Sequence, residues 1–166
     1  GVSIALGAAE VTMVELSTVY GVIANEGDKV DLNPILEIKD SNGNEVYKKE
    51  VREENVVNPG VAFIISDILA DNRARSMAFG TNTPLVIPSH RVSVKTGTTD
   101  NKRDNWTVGF TPKVLVATWV GNNDNRPLSQ ALASGITGAG PMWNRNITRA
   151  LEGEDPIPTK VRENVI

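Results

Sequence analysis

The stretch with the clearest chemical potential is VSVKTGTTDNKRDNW, residues 92–106. Small apolar residues alternate with polar ones up to Lys95, which is typical of a strand with one buried face. The strand then continues into Thr96, Gly97 and Thr98. An ammonium group, two hydroxyls and a residue without a side chain predict a binding edge. An extended peptide can pair with such a backbone, and its charged groups find donors there.

Two other uses of a Lys-Thr-Gly sequence do not fit. A phosphate-binding loop needs glycines before the lysine, but Ser93 and Val94 precede Lys95. An aspartyl-phosphate pump needs Asp directly before the lysine, where this chain has Val94. The remaining match is the third motif of penicillin-binding proteins and serine β-lactamases, on an exposed strand beside an acyl-transfer site. Because a match of only three residues can occur by chance, the alternative is a surface hairpin whose Lys and Thr side chains simply face water.

Three longer blocks extend this match: residues 1–27, 94–125 (VKTGTTDNKRDNWTVGFTPKVLVATWVGNNDN) and 133–147 (ASGITGAGPMWNRNI). In order and spacing they resemble successive parts of the transpeptidase domain of class A penicillin-binding proteins. The resemblance covers nearly the whole chain. It implies that residues 1–166 are a single partial domain, the C-terminal portion of a transpeptidase domain.

The resemblance also implies an activity and its partners. Members of the family are peptidoglycan DD-transpeptidases, in which a serine is acylated by a stem peptide, D-alanine leaves, and the acyl group passes to an amine. β-Lactams acylate the same serine, so stem peptides and β-lactams are the implied ligands. The parent protein is expected on the extracytoplasmic face of the bacterial membrane, anchored at its N-terminus and joined to a glycosyltransferase domain. The alternative is a nonenzymatic module that binds cell-wall peptide or a protein partner.

Residue roles follow from the same resemblance. Lys95 matches the catalytic lysine of the third motif, Thr96 and Thr98 the hydroxyls that face the substrate carboxylate, and Gly97 the glycine of close backbone approach. The backbone N–H of Thr98 matches one donor of the oxyanion hole. Four further positions match residues that brace the following strands: Asp104, Trp106, Gly109 and Trp119.

The nucleophile of this family is not found in the chain. None of the nine serines has a lysine three residues later, and none begins a Ser-x-Asn sequence. Both motifs are therefore expected upstream of Gly1, and this chain is expected to be inactive alone. Without the upstream strands, the sheet should expose an apolar face and an unpaired edge. We therefore expect the chain to be held by the upstream fragment or to self-associate through its sheet.

The composition of the chain argues against several other classes of function. The net charge is −3 and no basic face is apparent, which argues against a nucleic-acid partner. No apolar run approaches the ~20 residues that cross a bilayer. Cysteine is absent, and no phosphate loop, metal-ligand cluster or haem motif occurs, so we expect no cofactor and no metal.

The pattern of elements predicts an α+β fold, with a three-strand antiparallel meander, a separate hairpin and flanking helices. The helices are predicted at 12–25, opened by a capping box and ended by Gly27, from Pro59 to about Arg73, and from near Pro141. The hairpin is predicted within 34–51, and the meander strands at 91–98, 106–111 and 114–121. An ordered loop is predicted from Arg73 to Pro88.

Other polar residues have simpler explanations. His90, the single histidine, has no evident partner and is expected in a solvated loop. The 40–44 segment, DSNGN, begins like a calcium loop but lacks its closing glutamate, so a turn is expected. Lys102 and Arg103 are expected as solvated charges at a hairpin tip, with influence over the cleft as the second interpretation.

Overall fold

The computed structural model describes residues 2, 4, 7, 9–132 and 134–157. Within these residues, four α-helices and seven strands follow one another as α1 Met13–Ala24, β1 Asp28–Val30, β2 Glu37–Lys39, β3 Glu45–Lys48, β4 Glu53–Asn55, α2 Pro59–Ala70, α3 Asn72–Phe79, β5 Ser93–Thr98, β6 Asp104–Phe110, β7 Leu115–Gly121 and α4 Ala139–Ala150. The strands form three antiparallel sheets, ordered β1-β4, β2-β3 and β5-β6-β7. The predicted α+β class, meander and separate hairpin are confirmed.

Helix α1 begins with the predicted capping box. The Thr12 hydroxyl accepts from the Glu15 backbone N–H, and the Glu15 carboxylate accepts from the Thr12 backbone N–H at 2.8 Å. The Thr12 hydroxyl also donates to the Glu15 carboxylate, and the two hydrogen bonds that this carboxylate accepts, from the Thr12 backbone and hydroxyl, lower the pKa of Glu15. The helix ends before Gly27, whose φ of 101° is a left-handed conformation that glycine adopts without strain.

The sequence pattern missed a second two-stranded ladder. β1 pairs with β4 in the register Asp28 to Asn55, and the predicted hairpin of β2 and β3 lies between these two strands in sequence. All three residues of β4 are exposed, so this strand has no alternation of apolar and polar residues for a pattern to detect. The predicted turn in the hairpin is confirmed: the Asp40 carboxylate accepts from the backbone N–H groups of Asn42 and Asn44.

The prediction of one helix to Arg73 followed by a loop was wrong. The helix breaks at Asp71, which ends α2 and opens α3, and its side chain accepts from the Ala74 N–H at 2.9 Å. Aspartate at an N-cap satisfies an orphan amide of a new helix, so the chain can turn there without glycine or proline. The predicted loop region therefore begins with a two-turn helix, α3, and only the part beyond Gly80 lacks regular structure.

The meander lies between two helical layers. On one face, α4 packs against β6 and β7, and its Trp143 and Ile147 join Val92 and Val94 in the main core with Leu85. On the other face lie α1, which contacts β6 and β7, and α2, which contacts β5. The α2 contact includes a hydrogen bond of 2.7 Å from the Ser93 hydroxyl to the backbone oxygen of Ser66.

The expectation of an exposed apolar sheet face was wrong. Among residues 93–121 no large hydrophobic side chain is exposed, because helices cover both faces of the meander. Exposed apolar side chains lie instead on helices, in the 28–55 segment and in connecting loops; those on α2 are Val61, Ile64, Ile65 and Ile68. The expected unpaired edge is present, since β5 and β7 each have only β6 as a strand partner among the described residues.

Candidate active-site strand

The predicted site residues lie on β5, an edge strand with one open side. In antiparallel pairs, the backbone groups of alternate residues bond to the neighbouring strand and those between them point away. Thr99 N donates to the Asp104 oxygen at 3.2 Å, which places the odd-numbered residues of this segment in the ladder with β6. The backbone groups of Val94, Thr96 and Thr98 therefore point outwards, and we call them the site edge.

Two cations of the chain already contact the site edge. Arg75 donates from Nη1 to the Val94 oxygen at 3.1 Å, and Lys95 donates from Nζ to the Thr96 oxygen at 2.6 Å. Thr98 is next in the outward series. Its N–H and carbonyl are thus placed to pair with an extended ligand, beside the exposed Lys95 ammonium.

The side chains of the motif divide between the two faces of the sheet. Lys95 and Gly97 lie on the face of α1 and α2, where Gly97 is next to Trp106. Thr96 and Thr98 lie on the opposite face, and the Thr98 hydroxyl accepts from the Gly135 N–H at 3.1 Å. The ammonium and the hydroxyls therefore meet only at the strand edge, and their predicted roles in catalysis and carboxylate binding stay predictions.

Gly97 is not required by packing within this chain. A Cβ added there would meet only the Cβ of Trp106, at 3.6 Å, which is ordinary van der Waals contact. Its backbone is also not in the left-handed region, so alanine would fit without strain. The open space beside Gly97 is consistent with close approach by another backbone.

A glycine-rich segment, residues 134–140, supports the strand from behind. A Cβ on Gly135 would lie 2.7 Å from the Trp106 oxygen and 2.9 Å from the Thr96 Cβ, so only glycine fits. The Gly135 oxygen accepts from the buried Thr107 hydroxyl at 2.9 Å. Gly135 thus touches the site strand and its neighbour directly, and it limits how far β5 can move.

Asn105 fastens the same segment to β6. Its side chain is fully buried, donates to the Leu132 oxygen at 2.6 Å and accepts from the Ala139 N–H at 2.8 Å. The Ala139 N–H is one of the orphan donors at the start of α4, and Gly138, its N-cap, offers no side chain to satisfy it. A residue on a strand therefore caps a helix that is distant in sequence.

The predicted bracing positions are confirmed at three residues. Trp119 donates from Nε1 to the Asp104 carboxylate at 3.1 Å, across the β6–β7 pair. A Cβ on Gly109 would lie 2.4 Å from Cζ2 of Trp143, so this glycine makes room for the buried indole of α4. The first contact joins β6 to β7, and the second lets α4 pack closely against the meander behind the site strand.

The remaining predicted polar residues lie elsewhere or have structural partners. His90 contacts the Ser89 hydroxyl through Nδ1 and the backbone oxygen of Glu154 through Nε2, away from the site edge. Arg103 donates to the Asn125 oxygen at 2.9 Å, and the Lys102 oxygen accepts from Leu128 N at 2.8 Å. The tip of the β5–β6 hairpin is thereby tied to the 122–128 loop.

Within the described residues, no group of three or more His, Cys, Asp or Glu side chains is arranged to hold a metal ion. No helix in the described ranges has the length and apolar character needed to cross a membrane.

Sequence comparison identifies the family. A model of the penicillin binding protein transpeptidase domain matches residues 2–139. The chain belongs to this family. Penicillin-binding protein 1A of Neisseria flavescens is 35% identical to it over 169 residues, covering 99% of this chain and 21% of the relative. The chain thus spans about a fifth of the length of that relative.

Two solved structures share the fold. Penicillin-Binding Protein 1A from Haemophilus influenzae aligns with a TM-score of 0.79 at 20% identity, over 98% of this chain and 30% of that one. The PonA1 protein from Mycobacterium tuberculosis, solved in complex with penicillin V, aligns with a TM-score of 0.77 at 22% identity, over 96% and 43%. At these identities the similarity establishes the fold, and it agrees with a partial transpeptidase domain.

Sequence reasoning missed three residues that contact the site strand or its supporting segment: Arg75, Asn105 and Gly135. Arg75 fell in a region interpreted as the end of a helix and a loop, and no spacing rule links an arginine to a carbonyl 19 positions away. The glycine-rich composition of 134–140 was visible in the sequence, but the strand that it supports was not.

Proposed function

We propose that this chain is the C-terminal portion of a peptidoglycan DD-transpeptidase domain and forms one wall of its acyl-transfer cleft. Membership of the family supports the reaction class. The observation that carries the residue assignment is the open edge of β5, with Lys95 exposed and the Thr98 backbone pointing outwards.

In this proposal each motif residue has one role. The Thr98 N–H donates to the oxygen of the scissile carbonyl as negative charge develops on it, and the Lys95 ammonium stabilises the same charge. Gly97 admits the ligand backbone, and the Thr96 and Thr98 hydroxyls bind its terminal carboxylate from the strand edge. β-Lactams bind the same edge in this proposal because they present a carboxylate and an acylating carbonyl. The structurally similar PonA1 protein was solved in complex with penicillin V.

The nucleophile belongs to a segment outside this chain. A serine hydroxyl there attacks the carbonyl of the penultimate D-alanine, an ester forms, the C–N bond breaks, and D-alanine leaves with the serine proton. An amine of a second stem peptide then displaces the serine. The parent acts on the extracytoplasmic face of the membrane, where peptidoglycan is found, and the upstream part of the domain covers the apolar α2 surface.

Labelling with a fluorescent penicillin tests this proposal. We expect no covalent label on the chain alone and a label on a longer polypeptide that carries the complete domain, at a serine outside these 166 residues. Lys95→Ala in that polypeptide should slow labelling on the order of a hundredfold, the usual cost of losing one group that stabilises an oxyanion.

Lys48→Ala on the β2–β3 hairpin is the matched control, since it removes an exposed lysine of the same charge far along the chain from β5. Its labelling rate should equal that of the unmodified domain. Covalent label on the short chain would contradict the upstream nucleophile. A complete domain that binds stem peptide but takes no label would favour the nonenzymatic module.

A further inference from the structure

Arg75 connects three parts of the molecule through one side chain. Its Nη1 donates to the Val94 oxygen at 3.1 Å, and its Nη2 donates to the Leu69 oxygen at 3.1 Å and to Asn72 Oδ1 at 2.8 Å. The guanidinium therefore joins the end of α2, the first turn of α3 and the edge of β5. A planar guanidinium presents these donors in a fixed geometry, so the three acceptors are held in one arrangement.

Burying part of the charged Arg75 side chain costs desolvation free energy, which indicates that its contact with β5 is specific. Arg75 is half-buried, and in the described part of the chain its buried Nε has no hydrogen-bond partner. Burial lowers the pKa of the Arg75 guanidinium, and the nearby Asp71 carboxylate opposes that shift. A fully exposed arginine would not lose its hydration in this way. The partial burial of Arg75 is the consequence of its hydrogen bond to a strand carbonyl.

The carbonyl that Arg75 holds is directly linked to the motif. Val94 C=O and Lys95 N–H belong to one rigid peptide plane. Fixing that carbonyl therefore fixes the orientation of the peptide unit that begins the Lys95–Thr98 segment. It also occupies the first outward acceptor of an edge that has no strand partner on this side among the described residues. A ligand strand is then restricted to the outward groups that follow.

We propose that Arg75 is a positioning residue for the acyl-transfer site: it fixes the Val94 carbonyl and thereby sets the site edge from Thr96 to Thr98 in the geometry that a ligand backbone requires. This inference rests on the proposed function for its effect on acylation. Arg75 itself does not touch the reacting atoms. It couples the break between α2 and α3 to the strand that binds ligand.

Acylation kinetics of the complete domain test this role. Arg75→Met removes the hydrogen-bond donors while keeping a long side chain. Arg75→Lys keeps the positive charge but lacks the planar guanidinium that donates in several fixed directions. For a fluorescent penicillin, the second-order acylation constant per folded molecule should fall about tenfold in Arg75→Met, as for loss of a charged hydrogen bond. Arg75→Lys should recover part of that loss.

Ser93→Ala is the matched control, because it removes another tie between α2 and β5 without touching the site edge. It should lower the unfolding temperature but leave the acylation constant within about twofold, since its lost hydrogen bond is structural. An Arg75→Met domain with unchanged acylation would overturn the proposal. So would a Ser93→Ala domain that loses as much acylation as Arg75→Met.

Hydrogen exchange provides a readout that does not depend on activity. Amides within 93–98 should exchange faster in Arg75→Met than in Ser93→Ala, because only the former releases the strand edge. If the unmodified domain takes no penicillin, the proposed function fails, and the exchange comparison alone decides the positioning role. Equal exchange in the two variants would then reject it.

Discussion

At the scale of single residues, two glycines of the meander differ in the reason for having no side chain. Gly109 faces the Trp143 indole, and an added Cβ would lie 2.4 Å from it. Gly97 faces open space, with only Trp106 at 3.6 Å. Packing therefore requires glycine at position 109 but not at position 97, where in our proposal the glycine admits the backbone of a ligand.

This difference predicts opposite outcomes for two equal substitutions in the complete domain. Gly109→Ala should destabilise the fold by about 1–3 kcal/mol through overpacking against a fully buried side chain. Gly97→Ala should leave the unfolding free energy nearly unchanged but slow acylation by a fluorescent penicillin. Thermal unfolding and labelling rates measure the two effects. Equal loss of stability in both variants would show that Gly97 is also a packing glycine.

At the scale of elements, the site strand depends on a segment that follows it by about forty positions in sequence. Gly135 contacts β5 and β6, and Asn105 holds both Leu132 and the first turn of α4. The segment between β7 and α4 is therefore a support for the candidate site rather than a simple connection.

Removing the Asn105 side chain tests this support. Asn105→Ala leaves the Ala139 N–H and the Leu132 oxygen without their partner, and an unsatisfied buried group costs about 1–3 kcal/mol. We expect a lower free energy of unfolding and faster hydrogen exchange in the first turn of α4. Asn105→Asp keeps the acceptor for the Ala139 N–H but loses the donor to the Leu132 oxygen. The amides in the first turn of α4 should therefore exchange more slowly in Asn105→Asp than in Asn105→Ala. If alanine and aspartate behave alike, the capping bond to Ala139 is not the important one.

At the scale of the whole molecule, the chain has more apolar surface than its own fold covers. Val61, Ile64, Ile65 and Ile68 recur at helical spacing on α2, and the side chains of all four are exposed. A contiguous exposed apolar face of this kind marks an interaction surface. In our proposal the upstream part of the same domain covers it.

The chain alone should therefore self-associate through α2 and bind an apolar dye. Ile64→Glu combined with Ile68→Glu should reduce both effects, because it places charge on the exposed face without changing the core. Val46→Glu, at an exposed position on β3, is the control and should change neither. Light scattering and dye fluorescence measure the outcome. A compact monomer without dye binding would show that α2 needs no partner.

Local sequence determined the elements that carry their own signals. The capping box at Thr12, the alternation in β5 and the turn at Asp40 specify structure through contacts between residues close in sequence. The Lys95–Thr98 motif and its edge strand were likewise predictable, because their chemistry lies in four consecutive residues.

Tertiary structure alone decided what surrounds that motif. Arg75 reaches Val94 across 19 positions, Gly135 meets Thr96 across 39, and Asn105 caps a helix 34 positions later. Such contacts depend on how elements pack, and no periodicity in the chain encodes them. The same limit explains the wrong helix boundary at Asp71: the Arg75 side chain, bonded at once to α2, α3 and β5, helps to hold that break.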